Sequence, residues 1–353
     1  MSSVTLENIV KRFKQITALK NVSLDIQDGE FFVLLGPTGA GKTTALRVIA
    51  GLEKQDEGSV LFDGQPVDAL SPADRDVAFV FQQYSLYPTM SVYDNLAFPL
   101  RAPIRRTPED EIRQRVTQAA EVLRISHLLE RKTARLSGGE MQRVTIGRAI
   151  VRQPQVFLMD EPLSNLDAKL RESLRVELQH LQKTQTSTTL FVTHDQIEAL
   201  TLADRIGVLD EGRVIQVGTP TDIYDRPVTT FVAQLVGTPR INLLEASREN
   251  GSIYVRGSTV RLELAAGAAL PETFLLGVRP EDVKPAADGE FVGTLALTEP
   301  LGVETILHIR SGDQMLLSII PGITDMRLGS ELRFTVARER LHFFNHEGAR
   351  MSV

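Results

Sequence analysis

No cysteine occurs among the 353 residues, so neither a disulfide scaffold nor a thiolate metal site is available. No apolar run approaches the ~20 residues that a membrane-spanning helix needs. The longest, such as Phe31-Phe32-Val33-Leu34-Leu35, have strand length. The amino-terminal MSSVTLENIVKRFK lacks the apolar core and small-residue cleavage site of a signal peptide, so the chain is expected to stay in the cytosol. Positive charge is not in excess: 39 Lys and Arg face 45 Asp and Glu, a net −6. That balance argues against a nucleic-acid partner, which needs a basic face. Internal repeats and low-complexity segments are missing too. What remains, 42% hydrophobic and 24% charged, is the make-up of a globular protein, and the length suggests about two domains.

Up to about residue 236 short β-rich runs alternate with longer helical patterns. The strand candidates are Phe31–Leu35, Val77–Phe81, Val156–Asp160, Thr189–Thr193 and Ile206–Leu209. The helical candidates are Lys42–Ala50, Pro108–Arg124, Gly139–Arg152, Ala168–Lys183 and Gln196–Ala203. This alternation predicts an α/β domain with a largely parallel sheet. Thr107 is expected to cap a helix whose first position is Pro108. Leu170, Leu174, Leu178 and Leu181 fall on one helical face. Beyond Gly237 period-two alternation and glycine turns take over. Ile306–Ile309, Ser311–Asp313 and Gln314–Ile320 read as strand, turn, strand, and Arg327–Phe344 adds two more short strands. A smaller all-β domain, a small barrel, is therefore expected over 237–353, after an α/β domain over 1–236.

The chemistry is concentrated in the first domain. Gly36-Pro37-Thr38-Gly39-Ala40-Gly41-Lys42-Thr43 fits G-x-x-x-x-G-K-[ST], between an apolar strand and a helix, as a phosphate-binding loop requires. A chance match in a chain this long is on the order of one in a hundred. Glycines let backbone N–H groups curl around phosphates, and the helix dipole adds positive potential. Lys42 reaches the β- and γ-phosphates, and the Thr43 hydroxyl is placed for Mg²⁺. Thr44 belongs to the same nucleotide-binding set. The apolar strand Val156–Asp160 ends in Asp160, suited to Mg²⁺, and Glu161, placed to accept a proton from an attacking water. His194 ends another apolar strand and reads as a γ-phosphate sensor. Leu136-Ser137-Gly138-Gly139-Glu140 starts a helix with a capping box between Ser137 and Glu140. Gly138 and Gly139 weaken a first turn but let its backbone approach an anion. One nucleotide does not need two such helix ends from one chain. The economical arrangement is a dimer in which each Ser137 turn covers the nucleotide on the other chain's Lys42 loop.

In this order the motifs resemble the ATPase subunits of ATP-binding-cassette transporters: the loop at 36–43, Gln82 after a strand, LSGGE at 136–140, LMDEP at 158–162, Ser164-Asn165-Leu166-Asp167, and His194. The resemblance covers the whole chain. It implies a P-loop cassette with a helical subdomain over about 84–152. It also implies that Gln82 senses Mg²⁺ and the transmembrane partner, that Asp167 orders the dimer interface, and that Phe13 stacks on adenine. ATP and Mg²⁺ are the implied cofactors. Glu140 stands where the family usually has glutamine; a carboxylate there is repelled by nucleotide unless it turns back on its own helix, as the capping box allows.

The second half sharpens the resemblance. GTPRIN at 237–242, GVRPED at 277–282 and EPLGVET at 299–305 are similar to the carboxy-terminal extension of bacterial carbohydrate-importer ATPases, an oligonucleotide/oligosaccharide-binding-like β domain. In the maltose and glycerol-3-phosphate type this implies a homodimer on the cytoplasmic face of the inner membrane. Its membrane contact runs only through two permease subunits, and it serves an extracytoplasmic solute-binding protein indirectly. Tyr84, Tyr87 and Phe98 in the segment Gln82–Leu100 mark the expected docking surface. Polyamine, sulfate or iron importers are the alternative. A cassette ATPase acting on nucleic acid or ribosomes fits less well, because tandem cassettes and coiled-coil insertions are missing.

Overall fold

The computed structural model describes residues 2–103, 107–185, 187–263 and 270–352. The five apolar runs form the parallel part of one six-stranded sheet. Its order is Arg213–Gly218, Arg205–Asp210, Phe31–Leu35, Thr188–Thr193, Val156–Asp160 and Val77–Val80. Only Arg213–Gly218, at the edge, runs antiparallel. Every residue of Phe31–Leu35, Val156–Asp160 and Thr188–Thr193 is buried, as strands covered on both faces require. Because these three strands are neighbours, their carboxyl ends bring the Gly36 loop, His194 and Asp160–Glu161 side by side. That edge is where ligands bind in open α/β sheets.

The sequence reading did not contain a second, antiparallel sheet made by Ile16–Ile26, Val4–Phe13, Glu57–Phe62 and Gln65–Pro66. Its alternation is broken by register shifts between the first two strands and by Asn8 and Asn21 at positive φ, so the period-two signal fades. Leu6, Ile9, Leu19 and Val60 from this sheet share one core with Phe32, Leu158 and Leu190 of the parallel sheet and with Leu46 and Ile49 of the helix Lys42–Ile49.

The five expected helices lie where the periodicity puts them: Lys42–Ile49, Glu109–Val122, Gly138–Ile150, Ala168–Gln185 and Gln196–Leu202; the short helices Val92–Ala97, Pro220–Asp225 and Thr230–Leu235 were not expected. One start differs. Pro108 is itself the N-cap residue, extended at ψ 146, with no side-chain cap. Glu109, Asp110 and Glu111 face the positive helix end instead of a Thr107 cap. Leu174 and Leu178 are buried and Leu170 half-buried, while the Leu181 side chain lies outside the described residues.

The chain divides into two compact units, Met1–Pro220 and Thr221–Val353. This division precedes the 236/237 change of texture, and Arg279 supplies the reason. Its side chain is 1% exposed, and it donates to the carbonyls of Tyr224, Ala233 and Val236 while packing 4.1 Å over the Tyr224 ring. Tyr224 in turn donates to Glu281 at 2.6 Å. Ala233 and Ile241 pack with Phe344. The helical segment Thr221–Val236 is therefore welded to the β unit. That unit carries two five-stranded antiparallel sheets, one with Asn242–Glu249 at its centre and one with Phe291–Pro300 at its centre. Phe274, Leu276, Leu295, Leu307 and Phe334 from both sheets meet in one core, giving the expected OB-like barrel. The hairpin Glu304–Ser311 and Gln314–Pro321 turns through the predicted Gly312.

Candidate functional site

The loop Gly36–Thr43 takes its shape from close backbone approaches. A Cβ at Gly36 would fall 2.1 Å from the Leu209 carbonyl oxygen, and one at Gly41 2.5 Å from that of Ala18. Gly41, at φ 106, also supplies the left-handed turn into the helix Lys42–Ile49, whose first turn has no side-chain cap and no acidic residue. The amide groups there are left to solvent or an anion. Ala40 is buried; its N–H donates to the Pro37 carbonyl, and its own carbonyl accepts from Gly212. Lys42 folds back over the loop, donating to the Gly36 and Pro37 carbonyls at 3.0 Å each. Burial lowers the Lys42 pKa, with Glu161 and Asp160 acting against that shift.

The carboxylates arrive from the next-but-one strand. Thr43 Oγ1 donates to Asp160 Oδ1 at 2.8 Å. Burial raises the Asp160 pKa, opposed by that hydroxyl. Glu161 adopts φ 45, a left-handed conformation costing a non-glycine residue of order 1–3 kcal/mol. Its N–H is held by the Val192 carbonyl at 3.0 Å. The Glu161 carboxylate is 3.7 Å from Lys42 Nζ, 3.2 Å from His194 Nδ1 and 3.4 Å from Gln82 Nε2. Glu161, Lys42, Thr43, Thr44, Gln82, His194, Thr38 and Gly39 line one cleft of about 790 Å³, within the usual range for ligand pockets. Among the described residues no cluster of three His, Cys, Asp or Glu could hold a metal by itself. The oxygen donors Thr43, Asp160 and Gln82 instead suit Mg²⁺, which takes one or two carboxylates and completes its shell with water and substrate phosphates. An uncapped helix end, a buried lysine and hard oxygen donors fit a nucleoside triphosphate with that cation.

The remaining predicted residues are not in this cleft. Ser137 caps the helix Gly138–Ile150: its hydroxyl accepts from Glu140 N–H at 3.4 Å, and Glu140 Oε2 accepts from Ser137 N–H at 2.7 Å. The Ser137 N–H first, and then the Ser137 hydroxyl, which donates to the same oxygen at 2.9 Å, lower the Glu140 pKa. A Cβ at Gly139 would lie 1.9 Å from Leu170 Cδ2, whereas at Gly138 the nearest atom is the Tyr84 hydroxyl at 3.1 Å. Packing therefore accounts for Gly139, which the sequence reading assigned to anion approach alone. Asp167 caps the helix Ala168–Gln185 by accepting from Leu170 N–H at 3.0 Å. Phe13 is 41% exposed with Lys11 Nζ 4.9 Å above its ring, and it does not line the cleft. Its cross-strand partner Ile16, 70% exposed, does.

A family profile described as ABC transporter matches residues 19–164, and one described as TOBE domain matches 276–344. An sn-glycerol-3-phosphate import ATP-binding protein of Agrobacterium fabrum is 45% identical over 99% of this chain and 100% of its own length. This chain is an ABC transporter ATP-binding protein. Other relatives of the ABC ATPase include a trehalose/maltose import ATP-binding protein of Thermococcus litoralis, 44% identical over 98% of both chains. Among solved structures, a dimeric ATP-binding cassette in a post-hydrolysis state bound to ADP and Pi aligns at 34% identity and TM-score 0.56. The alignment covers 62% of this chain and 98% of that one. The ABC ATPase thus has an ATP-hydrolysing cassette followed by an OB-like domain.

Several cleft residues of this ABC ATPase escaped the sequence reading: Ile16, Thr17, Ala18, Lys20, Glu211 and Gly212. They come from the antiparallel sheet and from the turn between Arg205–Asp210 and Arg213–Gly218, brought over the loop by the hydrogen bonds from Gly212 N–H to Ala40 O and from Lys20 N–H to Gly212 O. A short Glu211-Gly212 turn carries no chemical signature of its own. Among the described residues no helix is long and apolar enough to cross a membrane.

Proposed function

We propose that this ABC ATPase hydrolyses ATP for a bacterial carbohydrate importer. It works as a homodimer on the cytoplasmic face of the membrane, docked on two permease subunits that an extracytoplasmic binding protein supplies. The observation that carries this reading is the convergence of Lys42, Glu161 and His194 in one cleft, with Asp160 hydrogen-bonded to Thr43 of that cleft, while the Ser137 turn stays outside it. Half of a nucleotide sandwich is present in each chain, and a second copy supplies the other half. Carbohydrate cargo is supported by the full-length likeness to glycerol-3-phosphate and trehalose/maltose import proteins.

In this reading Lys42 and the uncapped helix end neutralise the β- and γ-phosphates, and His194 reaches the γ-phosphate. Bound Mg²⁺, held by Thr43 and Asp160 with Gln82 beside them, supplies charge neutralisation. Glu161, anchored through its backbone at the strand end, polarises the attacking water. Phe13, or Ile16 beside it, packs on the base. Asp167 orders the contact between copies. A groove of about 470 Å³ lined by Phe81, Tyr87, Phe98, Thr145 and Arg148 supports permease docking, with Tyr87 and Phe98 both exposed and their rings 4.5 Å apart. Exposed Leu301, Val303, Ile323 and Leu328 support a tethering role for the β unit.

The test is ATPase activity of the reconstituted importer with its binding protein. Stimulation by sn-glycerol 3-phosphate, maltose or trehalose is expected. Stimulation only by a polyamine, sulfate or iron overturns the cargo assignment and leaves the ATPase assignment standing.

A further inference from the structure

His194 lies in the turn between the strand Thr188–Thr193 and the helix Gln196–Leu202, and Asp167 ends the turn that follows Glu161. One guanidinium touches both turns. Arg171 Nη2 donates to the carbonyl of Leu166 at 3.1 Å, and Nη1 lies 3.3 Å from Asp195 Oδ2. Nε faces Glu198 Oε1 at 3.9 Å. Glu198 is 2% exposed, and its other oxygen accepts the Thr193 hydroxyl at 2.6 Å. The Thr193 oxygen accepts the Asp195 N–H at 2.9 Å. Thr193 and Asp195 are the two chain neighbours of His194, so the carboxylates beside Arg171 fix the backbone on either side of the imidazole. The turn at the other end of the guanidinium is pinned as well. Ser164 N–H and Oγ both donate to the Glu161 carbonyl, and the Asn165 amide donates to the Gln82 carbonyl. The two turns that Arg171 joins are thus those that follow Glu161 and hold His194, both of which line the cleft.

We propose that Arg171 is a positioning residue that ties the orientation of His194 to the placement of the Ser164–Asp167 turn. A guanidinium is a rigid planar fork, so displacing one turn either drags the other or breaks a charge-assisted bond. Breaking it parts Arg171 from Asp195 and moves it away from the buried Glu198 carboxylate, which is unfavourable. The inference rests on the shared-site reading above: the Ser164–Asp167 turn meets the second copy, and His194 meets the γ-phosphate. Arrival of the second copy at the turn then fixes the aim of the imidazole, which already lies 3.2 Å from Glu161, toward the γ-phosphate, and hydrolysis waits for the dimer although Arg171 contacts no reacting atom.

The experiment uses the full chain and measures steady-state ATPase, binding of a fluorescent ATP analogue and the melting temperature. It compares Arg171→Met, Arg171→Lys, His194→Ala and the Arg171→Met/His194→Ala pair. His194→Ala is expected to stop nearly all turnover. Arg171→Met should lower kcat roughly 10- to 100-fold, the scale of a small misplacement of a catalytic group, with KM for ATP kept within about threefold. Arg171→Lys should recover only part of kcat, because a point charge reaches one turn and not both. The paired variant should be no slower than His194→Ala alone, since Arg171 acts through the histidine. Wild-type kcat in Arg171→Met overturns the proposal. So does a parallel loss of kcat, nucleotide binding and melting temperature in both Arg171 variants, or further slowing in the pair. If Arg171→Met does not fold, Glu198→Gln carries the same comparison: it keeps an acceptor for Thr193, drops the charge that faces Arg171, and should lower kcat without raising KM. An unimpaired His194→Ala would instead sink the reading of the site itself.

Discussion

The helix Lys42–Ile49 and the helix Gly138–Ile150 both have glycine where they start, but their first turns are closed in different ways. At Lys42 the entry residue is Gly41 in a left-handed conformation, with no side-chain cap and no acidic residue. At Ser137 a full capping box is in place, and Glu140 sits in the first turn. The first helix end leaves its amides to solvent or an anion. The second has satisfied two N–H groups with its own side chains and carries a negative charge. The glycines differ as well: Gly36 and Gly41 make room for the carbonyls of Leu209 and Ala18, whereas Gly139 makes room for the Leu170 side chain. In the proposed dimer the two ends then play different parts, one binding by itself and one stable by itself until a second copy brings a nucleotide to it.

The sharpest way to break this comparison is to damage one end in each of two chains. Lys42→Ala removes the buried cation of the open cleft, and Ser137→Arg removes the cap and blocks the covering turn. Either chain alone should lose ATPase activity and fail to trap Mg²⁺–ATP between its copies. Mixed, they retain one site with both intact halves, and sedimentation should find a dimer with one trapped nucleotide. No trapped nucleotide in the mixture means that each chain completes its own site.

A smaller effect separates packing from anion approach at the covering turn. Gly139→Ala should destabilise the cassette by about 1–3 kcal/mol, the usual cost of forcing extra atoms into a packed contact. Adding Leu170→Ala should return part of that stability in denaturant unfolding, whereas the same addition should do nothing for Gly41→Ala, whose clash is with backbone. Equal behaviour of the two pairs would erase the distinction drawn between the glycines.

The smallest effect concerns Glu140. Its bonds to Ser137 lower its pKa, so its contribution to stability is present above the ordinary glutamate value of 4.5 and lost as pH falls through the lower folded value. Glu140→Gln should therefore lower stability slightly at neutral pH, by about 0.3–1 kcal/mol as expected for a charge at a helix end, and the gap should close in acid. The same variant removes a carboxylate from the face that the proposed dimer presents to nucleotide, so the ATP concentration needed for dimer closure should fall. A rise would mean that the carboxylate itself contacts the ligand favourably.

Much of the cassette could be read from the chain because its signals are local. Phe31–Leu35 and Val156–Asp160 are continuous apolar runs, and only strands covered on both faces have that composition at that length. The loop through Lys42 and the Ser137–Glu140 box are fixed-offset patterns whose geometry follows from backbone hydrogen bonding. The antiparallel sheet was missed because bulges at Leu6–Ile9 and Ile9–Arg12 scramble its alternation. The compact unit that contains the β sheets begins at Thr221, while the change of texture falls at 236/237 because the Thr221–Val236 segment is helical like the cassette. Its allegiance depends on Arg279, 43 residues or more away along the chain from the carbonyls of Val236, Ala233 and Tyr224 that it holds.

By itself the sequence determined which residues carry charge, which turns are glycine-rich and which strands are wholly apolar, since each follows from side-chain chemistry over a few neighbours. Only the tertiary structure decided that Glu161, His194, Gln82 and Lys42 share one cleft, that Ile16 lines it where Phe13 does not, and that Arg171 joins two turns. Those are matters of strand order and side-chain reach between segments far apart in the chain, and no local pattern encodes them.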